Sequence, residues 1–378
     1  MDFSFREEQS DLRDLARKIL EDKLSNDRLK QIEAGDPVFD ADLWRELAKA
    51  NLLGIAIPEA FGGTGFGFFE LTLLLHEIGR AVAPVPAYAT LALGALPVNE
   101  FGSDEQKKAL LPGVATGEIF LSAGLVELES PDPLDPSTTA KRDGQGWRLE
   151  GQKTTVPAAA MAKKIVISAR SEDGRIGLFL IDPAADGVRV EKQRTTDRQP
   201  HGLVTLSGVA VGEEALLGDL ERGAEQLAWL TDRATLGVCA IQLGVSERAL
   251  EMTAKYAAER RQFDRPIGSF QAVHQRAADA YIDVEAMRLS TWEAAWRLAE
   301  GLETTNAVEI AKYWAAEGGQ FVAYACQHLH GGIGIDIDYP LHRYFIWSTM
   351  AEHSLGSART QLARLGKRLA DRGLPEEL

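Results

Sequence analysis

Few residues in this chain have the types and spacing that chemistry requires. His328 and His330 stand two apart at the end of an Ala-rich segment. On a helix such a pair points in different directions, and no third ligand suggests itself, so no metal centre is expected. Cys239 and Cys326 lie in separate Ala-rich segments, which offers neither a disulfide framework nor a zinc spacing. Asp232, beside Arg233, has two readings: a helix N-terminal acid favoured by the dipole, or a carboxylate whose pKa is raised by buried apolar surface into the range of a proton acceptor. Arg260 by type alone is a solvated charge at a helix end. Gly331, Gly332 and Gly334 would let backbone approach a ligand closely.

The elements that must position these residues fall into three stretches, 1–118, 119–222 and 223–378. The first is helical by pattern: Ser4 with Glu7 forms a capping-box signature, and Leu12, Leu15, Ala16 and Ile19 recur on one face. Asp40 is a second candidate N-cap, with Phe39 and Trp44 placed as a staple across it. Four glycines within the six residues Gly62 to Gly67 force a loop, and helical periodicity resumes from Phe69 to Arg80. From about Ile119 the period shifts toward two. Short runs at Trp147 to Leu149, Lys164 to Ser168, Ile176 to Ile181, Gly187 to Val190 and Leu203 to Leu206, separated by turn residues, predict a β domain.

After Gly223 helical patterning returns, with breaks near Gly268, Gly301 and Gly331 to Gly334, and a four-helix bundle is the simplest closure. The expected fold is thus α+β and multidomain: an N-terminal helical domain, a middle β domain and a C-terminal four-helix bundle. The helix from about Thr231 to Arg260 carries two apolar stripes. One contains Leu236, Ala240 and Leu243, the other Val238, Ile241 and Val245, which predicts burial on more than one side, within the bundle and against a second subunit. Trp292 and Trp296, four apart on the next helix, read as core or interface aromatics rather than site residues.

A chain of 378 residues exceeds what one core normally serves. Its net charge of -15 argues against a nucleic-acid surface and against an anionic membrane, so small molecules or other proteins are the expected partners. The N-terminal MDFSFREEQSDL has acids and no apolar core, and no apolar run approaches the roughly 20 residues that span a bilayer. A reducing cytoplasmic setting is the expectation.

Four local sequences identify a family. Ile57 to Gly67 (IPEAFGGTGFG) with Glu77-Ile78-Gly79-Arg80, then Phe101 to Glu118 (FGSDEQKKALLPGVATGE), Glu259 to Gln271 (ERRQFDRPIGSFQ) and Gln327 to Gly334 (QHLHGGIG) resemble the acyl-CoA dehydrogenases in the same order. The resemblance covers essentially the whole chain. It implies FAD as cofactor, an acyl-CoA substrate, electron-transfer flavoprotein as acceptor, and a homo- or hetero-tetramer. It places FAD between the β domain and the bundle, with its pyrophosphate and adenosine held by a neighbouring subunit. Carried over by motif, Arg260 meets the pyrophosphate with Gln262 and Phe263 beside it, a role suited to forked donors with a permanent charge. Asp264 stands where glycine is usual. Gly331 and Gly332 approach the neighbour's cofactor, and His328 takes the place of a cofactor-contacting glutamine, with Gln327 one residue earlier.

The β domain departs from the family pattern. Val126-Glu127-Leu128-Glu129-Ser130-Pro131 replaces a Thr-Glu-Pro type stretch whose backbone and hydroxyls contact the flavin. Thr155 stands where an aromatic commonly flanks the isoalloxazine, and Pro157 replaces a hydroxyl residue and removes a donor. The family's chemistry needs a carboxylate near the substrate α carbon, opposite the flavin. The two usual places for it hold Leu355, read as the end of a helix, and Ala234. Three readings follow: a subunit without its own base that completes a partner's site, a dehydrogenase using a displaced base such as Asp232, or a flavin oxygenase or oxidase on the same fold.

Overall fold

A computed structural model of the chain describes residues 4–130, 132–304 and 306–372; Pro131 of the divergent β-domain segment lies outside them. Its contacts divide into two compact units, Glu8–Leu74 with Pro84–Gly237, and Met1–Glu7 with Leu75–Ala83 and Val238–Leu378.

The first unit opens with α1 (Glu7–Lys23), α2 (Asn26–Glu33) and α3 (Ala41–Lys49). α1 starts at Glu7, later than a Ser4 cap would place it. Asp40 does cap α3, accepting from the Asp42 and Leu43 amides at 3.1 Å while Arg28 holds its carboxylate at 2.8 and 2.9 Å. Phe39 and Trp44 meet through a third ring, each packing on Phe120. α4 (Phe68–Ala81) follows, then a π-helix (Tyr88–Ala95), α5 (Leu96–Phe101) and α6 (Asp104–Ala115), the last carrying a complete Ser103/Gln106 capping box.

The strands are β1 (Leu121–Gly124), β2 (Thr139–Asp143), β3 (Gly146–Pro157), β4 (Lys164–Ser171), β5 (Ile176–Ile181), β6 (Val188–Arg194), β7 (Pro200–Gly212) and β8 (Leu216–Leu217). They form one sheet in the order β6-β7-β3-β2-β4-β5-β8, with β1 added parallel to β4. Trp147, Leu149, Ile165, Ile167, Phe179 and Val204 fill its core. The β3–β7 register slips between Lys153 and Val156, a bulge of the kind that re-aims side chains.

The helical C-terminal part comprises α7 (Gly223–Glu259), β9 (Arg261–Gln262), β10 (Arg265–Pro266), α8 (Gln271–Ala299), α9 (Ala307–His330), α10 (Leu341–His353) and α11 (Ala358–Arg372). Two glycines explain how α7 and the end of α4 cross. A Cβ on Gly79 would fall 2.1 Å from the Ile241 carbonyl oxygen, and one on Gly244 would fall 2.0 Å from that of His76. Around this crossing His76 lies between two carboxylates, its Nδ1 3.1 Å from Glu77 and its Nε2 3.0 Å from Glu247, which also takes Arg80 at 2.9 Å and Arg288 at 2.6 Å. Burial opposes charge on His76, but the two carboxylates outweigh it and raise its pKa. Ile241, within the second apolar stripe of α7, is thus met by α4 of the same chain. Trp292 is buried between Phe5 and His76, whereas Trp296 is exposed. No helix among the described residues is long and apolar enough to cross a membrane.

Candidate functional site

At the end of α7 the Arg260 amide still donates to the Tyr256 carbonyl at 2.8 Å, and the chain then doubles back as the β9–β10 hairpin. Its two turn residues, Phe263 and Asp264, have φ of 53° and 61°. Two positive φ values in a row make the two-residue hairpin turn that favours Asn, Asp or Gly, so Asp264 is conformationally suited to the position where glycine is usual. Its side chain is exposed, and Arg261 ties the turn by donating to its carbonyl at 2.9 Å. Phe263 is bulky for such a φ and its ring is 86% exposed, edge-on to Phe270. The Ile267 amide donates to the Arg260 carbonyl at 2.8 Å and closes the base of the hairpin. Arg260 itself is exposed and makes no ion pair among the described residues.

α9 ends against the same place. His330 stacks on Tyr256 with centroids 4.4 Å apart, so the last turns of α7 and α9 bring Arg260 and the glycine turn into one neighbourhood. Gly331 has a φ of +64° that an L side chain rarely adopts, and a Cβ on Gly331 or Gly332 would meet nothing within 4 Å. Their backbones are open to an approaching group. Gly334 is glycine for the opposite reason: Gln327 Nε2 would sit 2.5 Å from its Cβ. Gln327 is thus turned inward and is no substitute for an outward glutamine, whereas His328 is exposed beside the glycine turn. Forked donors, an imidazole and bare glycine backbone around one helix end suit a diphosphate such as that of FAD.

The corresponding segment of the β domain is closed. The amides of Thr154, Thr155 and Ala158 donate to the Val126 carbonyl (2.8 Å), Gln193 Oε1 (2.7 Å) and the Pro200 carbonyl (2.7 Å), and Pro157 has no N–H. Thr155 and Ala158 both have positive φ, 49° and 51°. Glu127 also turns inward. Its carboxylate takes the buried Lys153 ammonium, the Ser137 amide and hydroxyl, and the Thr138 amide and hydroxyl. Burial opposes its ionisation, but Lys153 and these donors outweigh burial and hold its pKa at about 2. The three amides of Thr154, Thr155 and Ala158 are spent on the domain itself and are not offered to a flavin.

Neither Leu355 nor Ala234, the two places where a base was expected, can take a proton. α10 stops at His353, so Leu355 lies in a turn, not on a helix as its sequence context suggested. It is buried, in the left-handed region at φ 56°, with its carbonyl accepting from Gln361 at 3.2 Å. Lys312, fully buried, donates to the carbonyls of Ala351 and Glu352 at 2.9 and 3.0 Å and caps α10 just before this turn. The Glu352 carboxylate accepts from Gln320 at 3.0 Å. Ala234 is fully buried, and its carbonyl accepts from the Tyr88 hydroxyl at 3.1 Å. Asp232 does not sit at a helix start. α7 begins at Gly223 and is regular through this stretch, so Asp232 lies in its third turn, beyond the reach of the dipole, and still half a turn away from the direction of Ala234. Next to it Arg233 lies 3.7 Å over the Trp229 ring, where burial lowers its pKa to about 10 against the pull of Asp232 and Glu100.

Sequence reasoning missed Tyr256, His330 and Tyr339 as a cluster and Glu127 with Lys153 as a pair. No periodicity links such distant positions; only the inward direction of Lys153 on β3, given its register, would have drawn attention to it. Among the described residues no group of three or more His, Cys, Asp or Glu is placed to hold a metal ion.

Three domain signatures match the chain: acyl-CoA dehydrogenase N-terminal domain over residues 6–118, middle domain over 129–209 and C-terminal domain over 221–370. Acyl-CoA dehydrogenase FadE27 of Mycobacterium tuberculosis is 37% identical, covering 98% of this chain and 99% of that one. Among solved structures, a variant of the Tcur3481-Tcur3483 steroid ACAD is 45% identical over 97% of this chain and 98% of the other, with a TM-score of 0.90. The ChsE4-ChsE5 complex from Mycobacterium tuberculosis is 38% identical over 99% of this chain and 100% of the other, with a TM-score of 0.93. With all three signatures in order and relatives of this identity over nearly its full length, the chain belongs to the acyl-CoA dehydrogenases, a family of FAD-dependent oxidoreductases.

Proposed function

We propose that this chain is one subunit of a heteromeric acyl-CoA dehydrogenase, and that it completes an FAD site whose flavin pocket and catalytic base belong to a different subunit. The observation that carries this reading is a contrast in donors. Arg260, His328 and the open backbones of Gly331 and Gly332 face outward with capacity to spare, whereas Thr154, Thr155 and Ala158 have spent their amides within the β domain. Leu355 and Ala234 extend the contrast, since neither accepts the substrate's α proton.

In this reading Arg260 neutralises the diphosphate, with Gln262 and Phe263 projecting beside it from the hairpin. His328 donates to a phosphate oxygen, and the two glycines let the backbone come close. FAD, when bound, supplies the hydride acceptor for the β carbon. The reaction is α,β-dehydrogenation of an acyl-CoA thioester, with electron-transfer flavoprotein taking the electrons onward. Two relatives support the assembly and the substrate class. One is a complex of two differently named chains, and the other is described as a steroid ACAD. We infer a bulky, ring-bearing acyl group on that basis. Exposed Tyr281, Ile282, Leu289, Tyr324, Ile335 and Ile337 supply apolar surface for a subunit contact.

The test is to purify the chain alone and co-expressed with a base-bearing subunit, and to follow flavin bleaching on addition of a ring-bearing acyl-CoA. The complex should be yellow and active, and the isolated chain inactive. Asp232→Ala in this chain should leave the complex's turnover unchanged. Full activity of the isolated chain, abolished by Asp232→Ala, would refute the proposal and make Asp232 a displaced base.

A further inference from the structure

The cluster around His330 does more than fill space between helices. Its Nδ1 lies 2.9 Å from the Cys326 carbonyl oxygen, which accepts only, so Nδ1 carries the hydrogen. That leaves Nε2 to accept from the Tyr339 hydroxyl at 3.1 Å. Burial lowers the ring's pKa, with the bond to Cys326 opposing, in keeping with a neutral imidazole of one fixed tautomer. On its face lies Tyr256, 4.4 Å away and inclined by 17°.

One ring therefore touches three segments: the last turn of α9, the last turn of α7, and the stretch that follows the glycine turn. Arg260 leaves α7 four residues after Tyr256, bonded to its carbonyl, and Gly331 follows His330 directly. The exposed guanidinium and the bare glycine backbones are thus linked through this imidazole. A phenyl ring could keep the stack, but it would release both hydrogen bonds and the angle they define.

We propose that His330, held by Cys326 and Tyr339 and stacked on Tyr256, is a positioning residue that sets Arg260 and Gly331–Gly332 at the spacing a diphosphate requires. This rests on the reading that the outward donors serve FAD in a partner subunit. It assigns to Tyr339 and His330 a role in cofactor affinity exerted through Arg260 and the glycine turn.

The test is a double-mutant cycle on FAD affinity, measured by flavin fluorescence during release and rebinding in the co-expressed heteromer, with Arg260→Ala, His330→Phe and their combination. His330→Phe alone should weaken FAD by roughly five- to tenfold, the loss of one or two hydrogen bonds' worth of alignment. In the Arg260→Ala background the same change should cost less than about twofold, because there is no guanidinium left to align. Tyr339→Phe, which removes one hydroxyl and keeps the ring, should show the same pattern with a smaller effect and serves if His330→Phe does not assemble. Equal fold-losses in both backgrounds, or lower thermal stability with unchanged FAD affinity, would make the cluster structural only and overturn the proposal. If Arg260→Ala leaves FAD affinity unchanged, the partner-site reading itself fails, and the positioning role falls with it.

Discussion

Removing one partner of the Glu127–Lys153 pair tests whether the β-domain segment is locked by the charge arrangement described above. Lys153 is fully buried and donates to Glu127 and, at 2.9 Å, to Ser168. Breaking a buried pair by deleting one ion costs about 3–5 kcal/mol, because the other is left uncompensated. The two deletions differ in what remains. Lys153→Met leaves the Glu127 carboxylate with two amides and two hydroxyls from Ser137 and Thr138, so its cost belongs at the low end, about 3 kcal/mol.

Glu127→Gln leaves an ammonium with only the Ser168 hydroxyl, but that group has an escape. Burial already brings the Lys153 pKa to about 8 with Glu127 pulling it up, and without Glu127 it falls further. The folded variant then binds one proton fewer than the unfolded chain, so its stability rises with pH until the ordinary lysine pKa is reached. Urea unfolding followed by circular dichroism should show Lys153→Met with a nearly constant deficit below about pH 8 that grows above it, and Glu127→Gln with a deficit that shrinks by about 1.4 kcal/mol per pH unit only up to about pH 8, where Lys153 of the parent loses its proton as well. Glu127→Gln with Lys153→Met should recover at least about half of the larger single loss. Single variants within about 0.5 kcal/mol of the parent, or a double variant as unstable as the sum of the singles, would refute the reasoning.

Other expectations follow from the helical unit. Because paired carboxylates raise the His76 pKa, its contribution is full below the unfolded value near 6.5 and is lost as pH rises through the folded value; His76→Gln should flatten this loss in pH-dependent thermal melts. Gly244→Ala would place a methyl 2.0 Å from a backbone carbonyl that cannot move aside, and should lower stability by about 3 kcal/mol or prevent folding, as read from soluble yield and urea midpoint. Lys312→Met leaves the last carbonyls of α10 buried without a donor, at a cost of about 1–3 kcal/mol, and hydrogen exchange should rise in residues 351–357.

The order of helices and strands was legible because periodicity and turn residues agree over long stretches. The strand runs at Lys164 and Ile176 and the cap at Asp40 fall where they were expected. The Glu77-Ile78-Gly79-Arg80 motif was legible too, although its physical basis, a glycine contact with α7, needs both helices in place. What the sequence could not convey was direction. Asp232 looked like a helix-start acid because the apolar pattern places the helix from about Thr231, yet α7 begins at Gly223. Leu355 looked helical although Gly356 follows it; its carbonyl is held by Gln361, six residues on, and the helix before it is capped by Lys312, far away in sequence. Glu127 looked like a damaged flavin contact, and its inward turn depends on Lys153 across the sheet.

The central claim is that this chain completes a partner's flavin site and holds no flavin in its own β domain. Flavin stoichiometry tests it most directly: the heteromer is purified, its two chains are quantified by amino-acid analysis, and FAD released by denaturation is measured by absorbance. The account predicts one FAD for each pair of unlike chains, reduced to substoichiometric content by Arg260→Ala in this chain. One FAD per chain, with this chain's copy surviving in isolation, would contradict it.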